Sequence, residues 1–248
     1  DKNETFILLD TGASGKTILH NAYKMNVDFR KVDAIALSHG HYDHTGGLLS
    51  ILKNAEKQIP IVLHPEALKI KFKVKPRLRL IGIPFTTSEI EESGGRFLFS
   101  RYAAPLADHV FATGEVERVN DFEKVSPHFM TVKNDKFVHD KILDDQALVI
   151  DYAENGLIIV TGCAHAGIVN TVKYAQKITG RSKIHAVIGG FHLVDANEER
   201  IERTIQAFRE FSPRFIGPCH CTGEKAIKRF KEEFKENFVE IHVGSVLK

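Results

Sequence analysis

Three histidines and one aspartate fall within six residues, as His39, His41, Asp43 and His44, directly after the apolar run Ala34–Leu37. A donor cluster this dense constrains the fold more than any other stretch of the chain. The run reads as a strand. The loop at its end can turn His39 and His41 to one side while Asp43 and His44 reach a second point nearby. Imidazole and carboxylate are ligands for Zn²⁺, Fe or Mn²⁺. Two donor groups so close together suit a two-metal arrangement, with ions roughly 3.5–4 Å apart clamping a bridging hydroxide. The motif therefore predicts two divalent metal ions, with Zn²⁺ the first choice and Fe or Mn²⁺ as alternatives.

Strand-like and helix-like segments alternate around this motif, which predicts an α/β fold. Strands are expected at Thr5–Leu9, Ala34–Leu37, Ile61–Leu63, Ala147–Asp151, Leu157–Val160, His185–Ile188 and Arg214–Ile216. Helices are expected at Leu48–Ala55, Ile168–Ile178, Glu198–Phe211 and Glu224–Asn237. The third helix puts Ile201, Ile205 and Phe208 on one face, and Asp195 with Glu198 forms a capping box for it. Residues 1–248 are read as a single domain. Within it, residues 64–141 show weak periodicity and read as an inserted segment that shapes a pocket rather than building the core. Its basic stretch Lys69–Arg79 alternates with apolar residues, as a solvated strand does; the other use for it is to meet an anionic group such as a phosphate.

Composition narrows the partners. Lys+Arg 34 against Asp+Glu 32 gives a net charge of +2, which speaks against a nucleic-acid or membrane surface. No apolar run approaches the roughly 18–20 residues needed to span a bilayer, and the polar amino terminus DKNETFILLD carries no signal peptide. Three cysteines, Cys163, Cys219 and Cys221, are too few for a disulfide scaffold and favour a reducing, cytoplasmic interior. A small-molecule substrate is the expected partner.

The second half supplies more donors, each after a predicted strand. Leu157–Val160 runs into Thr161-Gly162-Cys163-Ala164-His165, His185–Ile188 into Gly189-Gly190-Phe191-His192, and Arg214–Ile216 into Gly217-Pro218-Cys219-His220-Cys221. Strand ends are where a layered α/β protein gathers a site. His192 is a candidate general acid, substrate contact or distal ligand. Cys219 and Cys221, with Cys163, fall short of the four thiolates of an iron–sulfur cluster and read as small buried residues. Gly15-Lys16-Thr17 ends like a phosphate loop, but the required first glycine falls on Asp10, so that reading fails.

The segment His39-Gly40-His41-Tyr42-Asp43-His44 is an H-x-H-x-D-H signature and resembles the metallo-β-lactamase fold superfamily. Gly-Cys-Ala-His-Ala-Gly-Ile-Val-Asn from Gly162, Gly-Gly-Phe-His-Leu from Gly189 and Pro-Cys-His-Cys-Thr-Gly from Pro218 narrow the resemblance. They are similar to the subgroup named after the dihydropterin-ribofuranosylaminobenzene phosphate synthases, across nearly the whole chain. The resemblance implies a four-layer αββα sandwich. It implies a metal set of His39, His41, Asp43, His44, His165 and His220, with Asp10 holding a ligating imidazole through its other N–H. Where many members have Thr-Gly-Asp, this chain has Thr161-Gly162-Cys163. His165 is preferred as the ligand there because it keeps the nitrogen and oxygen character of the site, with Cys163 as the alternative. The earlier histidine of the superfamily pattern has no clear counterpart; His139 is the nearest. Members of the subgroup usually begin with one or two strands ahead of the Asp10 strand, so leading strands are expected to be missing from this chain.

Asp43 and His192 are the candidate catalytic residues. The metal chemistry predicts a hydrolase acting on an ester, phosphodiester or lactone-type bond. The subgroup resemblance implies instead a transferase that condenses a dihydropterin with ribofuranosylaminobenzene 5′-phosphate, with Lys69–Arg79 available to the phosphate. A di-iron redox protein is a further alternative.

Overall fold

A computed structural model describes residues 4–247. In chain order the first half holds β1 (Ile7–Leu9), α1 (Gly15–Lys24), β2 (Ala34–Ala36), the single turn α2 (Tyr42–Thr45), α3 (Leu48–Ala55) and β3 (Ile59–Leu63). Then come β4 (Lys71–Lys73), β5 (Arg79–Leu80), α4 (Thr87–Glu92), β6 (Gly95–Phe99), β7 (Ala104–Ala107), β8 (Val110–Ala112), β9 (Phe129–Lys133) and β10 (Lys136–His139). The last part holds β11 (Ala147–Asp151), β12 (Leu157–Thr161), α5 (Ile168–Thr179), β13 (Ile184–Gly190), α6 (Glu198–Phe211), β14 (Phe215–Cys219) and α7 (Glu224–Phe234).

These elements form the expected αββα layers. One sheet, in the order β1-β2-β3-β6, is parallel throughout. Its strands are apolar on both faces, and Ile35, Leu37, Ile59 and Ile61 pack with Leu48, Ile51 and Leu52 of α3. The other sheet runs β14-β13-β12-β11-β8-β7, with β12, β13 and β14 parallel and the rest antiparallel. Helices α5, α6 and α7 bury Ile168, Val172, Ile205, Phe208 and Phe230 against it. Phe191, Phe208 and Phe230 meet with ring centroids 5.2–5.5 Å apart, an arrangement favoured by the ring quadrupoles. Phe191 thereby fixes the loop that carries His192, and its N–H donates to Thr222 Oγ1 at 3.0 Å.

Residues 64–141 depart from the expectation of an insertion outside the core. They supply β6 to the first sheet and β7 and β8 to the second. Only the small antiparallel sheet β10-β9-β4-β5 is separate from those layers. The weak periodicity of the segment reflects short strands shared among three sheets.

The basic stretch also departs from a solvated strand. Lys71 is 1% exposed, and its Nζ donates to Asp144 Oδ1 at 2.7 Å and Asp140 Oδ2 at 3.1 Å. The two carboxylates make burial of the ammonium tolerable, since an unpaired buried charge is strongly disfavoured. Helix α6 is capped by Asn197, whose side chain accepts from Arg200 N at 2.9 Å, rather than by Asp195. The chain is still turning at Ala196, whose N–H donates to Leu193 O, so Asp195 lies too early. Helix α7 ends at Phe234, and Lys235–Asn237 continue as a 3₁₀ turn.

Replacing Lys71 by Met leaves Asp140 and Asp144 buried side by side without a counter-charge. The Lys71→Met protein is expected to lose about 3–5 kcal/mol of unfolding free energy in a denaturant titration. The triple replacement with Asp140→Asn and Asp144→Asn should recover part of it.

Candidate metal centre

The parallel strands deliver their C-terminal ends to one edge, and the donors stand there. Directly after β2 come Ser38 and the histidine loop. Directly after β12 come Gly162, Cys163 and His165, and β13 and β14 are followed by His192 and His220. Backbone strain collects at the same turns: Asp10, Ala164, His192 and His220 have φ of 61°, 52°, 46° and 51°, in the left-handed region that disfavours a Cβ. Gly162 has a different reason to be glycine. A Cβ there would lie 2.0 Å from Ser38 Oγ and 2.7 Å from Asp10 Oδ2, so only a bare backbone lets the two sheets close at this point.

Five overlapping triads of ligand atoms lie within 4.8 Å: His39-His41-His165, His39-His44-Cys163, Cys163-His165-His192, Cys163-His220-Cys221 and Asp43-His44-His220. Three pairings of them share no residue, and one of these uses all four donors of the histidine loop. His39, His41 and His165 form one nest of nitrogens, with His39 Nε2 and His41 Nδ1 2.9 Å apart. Asp43, His44 and His220 form the other, with Asp43 Oδ2 3.7 Å from Nε2 of both imidazoles. Cys163 stands between them, its Sγ 3.1 Å from His44 Nε2. His165 and Cys163 are thus brought into the centre together, as is His192, whose ring centroid is 4.1 Å from that of His165. His139 is not; it sits exposed on β10 with Nε2 3.0 Å from the Ser126 carbonyl.

Asp10 organises the first-half donors. Its Oδ1 accepts from Ser38 N and its Oδ2 from Ser38 Oγ, both at 2.7 Å, and Oδ2 lies 2.7 Å from His44 Nδ1. The carboxylate therefore fixes the His44 ring with Nε2 pointing into the centre, the arrangement that orients ligating histidines. Burial opposes a charge on His44, but Asp10 outweighs it and raises the imidazole to about 9. Burial holds His39, His41 and His165 well below the ordinary histidine range, which favours the neutral ring that a metal ion requires.

This donor set fits a divalent cation. His41 Nε2, His165 Nε2 and His192 Nδ1 are buried with no hydrogen-bond partner, a loss of about 1–3 kcal/mol for each nitrogen left unmatched. An ion beside His41 and His165 would remove that penalty there. The neutral imidazoles of His39, His41 and His165 with one carboxylate and one thiol are suitable ligands, and His44 would join them by giving up its Nε2 proton. Cys221 is the residue that sequence reasoning missed. It joins Cys163 and His220 in one triad. Cys221 Sγ donates to the Cys163 carbonyl at 3.6 Å, and the neighbouring Cys163 side chain, with His192 beside Cys221, lowers the Cys221 pKa while Cys163 is pushed up. Its sequence signal was the Cys-His-Cys run around His220.

Comparison with known proteins agrees with the strand-end geometry. The model of the "Metallo-beta-lactamase superfamily" matches residues 1–136. A Methanocaldococcus jannaschii protein is 42% identical over 247 residues, covering 98% of this chain and 84% of the relative. The chain belongs to the metallo-β-lactamase superfamily. That relative is named 7,8-dihydropterin-6-methyl-4-(beta-D-ribofuranosyl)-aminobenzene-5′-phosphate synthase. A second protein of the same organism, the uncharacterized MJ0448, is 31% identical and covers 99% of this chain and 89% of its own length. A crystal structure described as a metal-dependent hydrolase of the β-lactamase superfamily superposes with a TM-score of 0.84 at 31% identity, covering 98% of this chain and 88% of the other. The chain is accordingly an enzyme, a hydrolase or a transferase. Among the described residues no helix is long and apolar enough to cross a membrane.

Asp145 underlies the same edge, its Oδ2 accepting from Ala166 N at 2.8 Å beside His165. Burial raises its carboxyl to about 6 from an ordinary 3.8. The folded protein therefore holds a proton that the unfolded chain has released between those values, and stability falls as pH rises through that window. Measured on chelated protein, the pH–stability profile of Asp145→Asn should be flatter between about pH 4 and 6 than that of the parent.

Proposed function

We propose that this enzyme is a transferase that joins the 6-methylene group of a dihydropterin to the amino nitrogen of a ribofuranosylaminobenzene 5′-phosphate. The observation that carries this reading is the 42% identity, over 98% of the chain, to the synthase of that name. The reading includes two divalent ions, with Zn²⁺ the first choice. His39, His41 and His165 would hold one and Asp43, His44 and His220 the other, with the Cys163 thiolate between them. It is also the reading of a cytoplasmic enzyme of small molecules.

Ions bound there supply Lewis-acid polarisation of an oxygen and positive charge opposite a departing anion. The protein does the rest. A C–N bond forms between the arylamine and the methylene carbon as the C–O bond to the pterin alcohol, or its diphosphate, breaks. The electron pair leaves with the oxygen. His192, which lines the cleft, supplies a proton to that oxygen, and the Asp43 carboxylate takes the proton the amine gives up. Asp10 keeps His44 in one orientation throughout, and the walls of the cleft align the two substrates.

Hydrolysis of an ester, phosphodiester or lactone-type bond is the second reading, favoured by the 31% identical structure described as a hydrolase. Metal analysis joined to an assay panel separates the readings. The transferase reading expects about two zinc per chain and condensation that chelator abolishes, with little turnover of phosphodiesters or lactones. Stoichiometric iron with a visible absorption band would point to the redox alternative.

His39→Ala, Asp43→Ala and His220→Ala should each lose bound metal and at least about 100-fold in condensing activity. Asp10→Asn should weaken metal affinity by about 10–100-fold without removing a ligand. Full metal content in the three alanine variants would refute the ligand assignment.

A further inference from the structure

The basic stretch divides sharply in space. Lys69 pairs with Glu66 at 2.7 Å and Lys71 is spent inside the protein between two aspartates. Lys75 and Arg77 point to solvent. Lys73 and Arg79 behave differently. They are directly opposed partners in the antiparallel β4–β5 pairing, so their side chains leave the same face of that small sheet. Both line the cleft of ≈ 210 Å³ that also exposes His41, Asp43, His192 and His220. Among the described residues, neither side chain makes an ion pair or a hydrogen bond. Lys73 Nζ lies 5.6 Å from the centroid of Phe129, and that ring packs against His41 and His165 at 5.4 and 5.3 Å. Two unneutralised cations on one wall, beside a nest of metal-ligating side chains, make a concave site with excess positive potential.

We propose that Lys73 and Arg79 form an anion subsite that grips a phosphate monoester dianion of the substrate and sets its reacting end against the metal centre. The choice of substrate rests on the transferase reading, which offers two sources of that group: the 5′-phosphate of the arylamine and the diphosphate of an activated pterin alcohol. Arg79 supplies a planar fork of donors and Lys73 a point charge, a pairing suited to a tetrahedral oxyanion. The rest of the stretch does not share the role, because its remaining cations are buried, paired or turned away.

The test compares Lys73→Met, Arg79→Met and the control Arg77→Met in steady-state condensation, with metal content measured on each protein. Removing either subsite cation should raise the KM for one phosphorylated substrate about tenfold or more, and metal content should stay at the parent level. Arg77→Met should change nothing. The substrate whose KM rises identifies the source, and a dephosphorylated arylamine riboside should be insensitive to both variants if the arylamine phosphate is the one held. Unchanged KM values for both substrates overturn the subsite, and so does loss of metal from the variants. If the parent protein condenses nothing, calorimetric titration with inorganic phosphate still decides. Weaker phosphate binding in the variants keeps the subsite while the transferase reading falls, and equal binding removes the subsite.

Discussion

The carboxylate of Asp144 ties together three segments that the centre needs in register. One oxygen receives Lys71 Nζ from β4 at 2.7 Å, and the other receives the backbone N–H of Gly40, between His39 and His41, at 2.8 Å. The residue itself sits just before β11, fully buried. A single charged group therefore sets the distance between the histidine loop, the small sheet that walls the cleft and the entry to the second large sheet. Charge-assisted bonds of this kind are stronger than neutral ones, and in a dry interior no water can substitute for a missing partner. Gly40 accommodates the closeness, since a Cβ there would lie 2.0 Å from the Ala67 carbonyl oxygen. With Asp10 holding the opposite side of the loop, the imidazoles have little freedom left before any ion arrives.

Much of this was legible in the sequence. The donor cluster after Ala34–Leu37, and the His165, His192 and His220 turns after later apolar runs, put chemistry at strand ends. Parallel strands leave those ends on one edge. The helix with Ile201, Ile205 and Phe208 on one face was equally readable, because a period of 3.6 residues is a property of local sequence.

What was not legible depends on partners far away in the chain. Nothing in the run around Lys71 distinguishes a buried lysine from a solvated one; Asp140 and Asp144 decide it, about seventy positions later. The same separation hid the division of labour among the cations, since only the β4–β5 register puts Lys73 and Arg79 together. Residues 64–141 looked irregular because β6, β7 and β8 are short, and β6 and β8 pair with β3 and β11 outside the segment. Cys163 and His165 looked like alternatives while viewed as one short peptide. In space both stand in the same donor cluster, in overlapping triads that share His39 and His192.

The separation of the two halves of the centre has a consequence for the protein as a whole. His39, His41, Asp43 and His44 follow a strand of the first sheet, and Cys163, His165, His192 and His220 follow strands of the second, so each of the two ligand sets proposed for the ions draws on both halves of the chain. A cation bound across them is a non-covalent rivet between the layers. Its grip is present only when both layers are assembled, and its binding energy is then folding energy. At a free-ion concentration a thousand times the dissociation constant, mass action adds about 4.1 kcal/mol to the assembled state. Metal supply in such an architecture governs how long the protein persists as well as whether it turns over substrate.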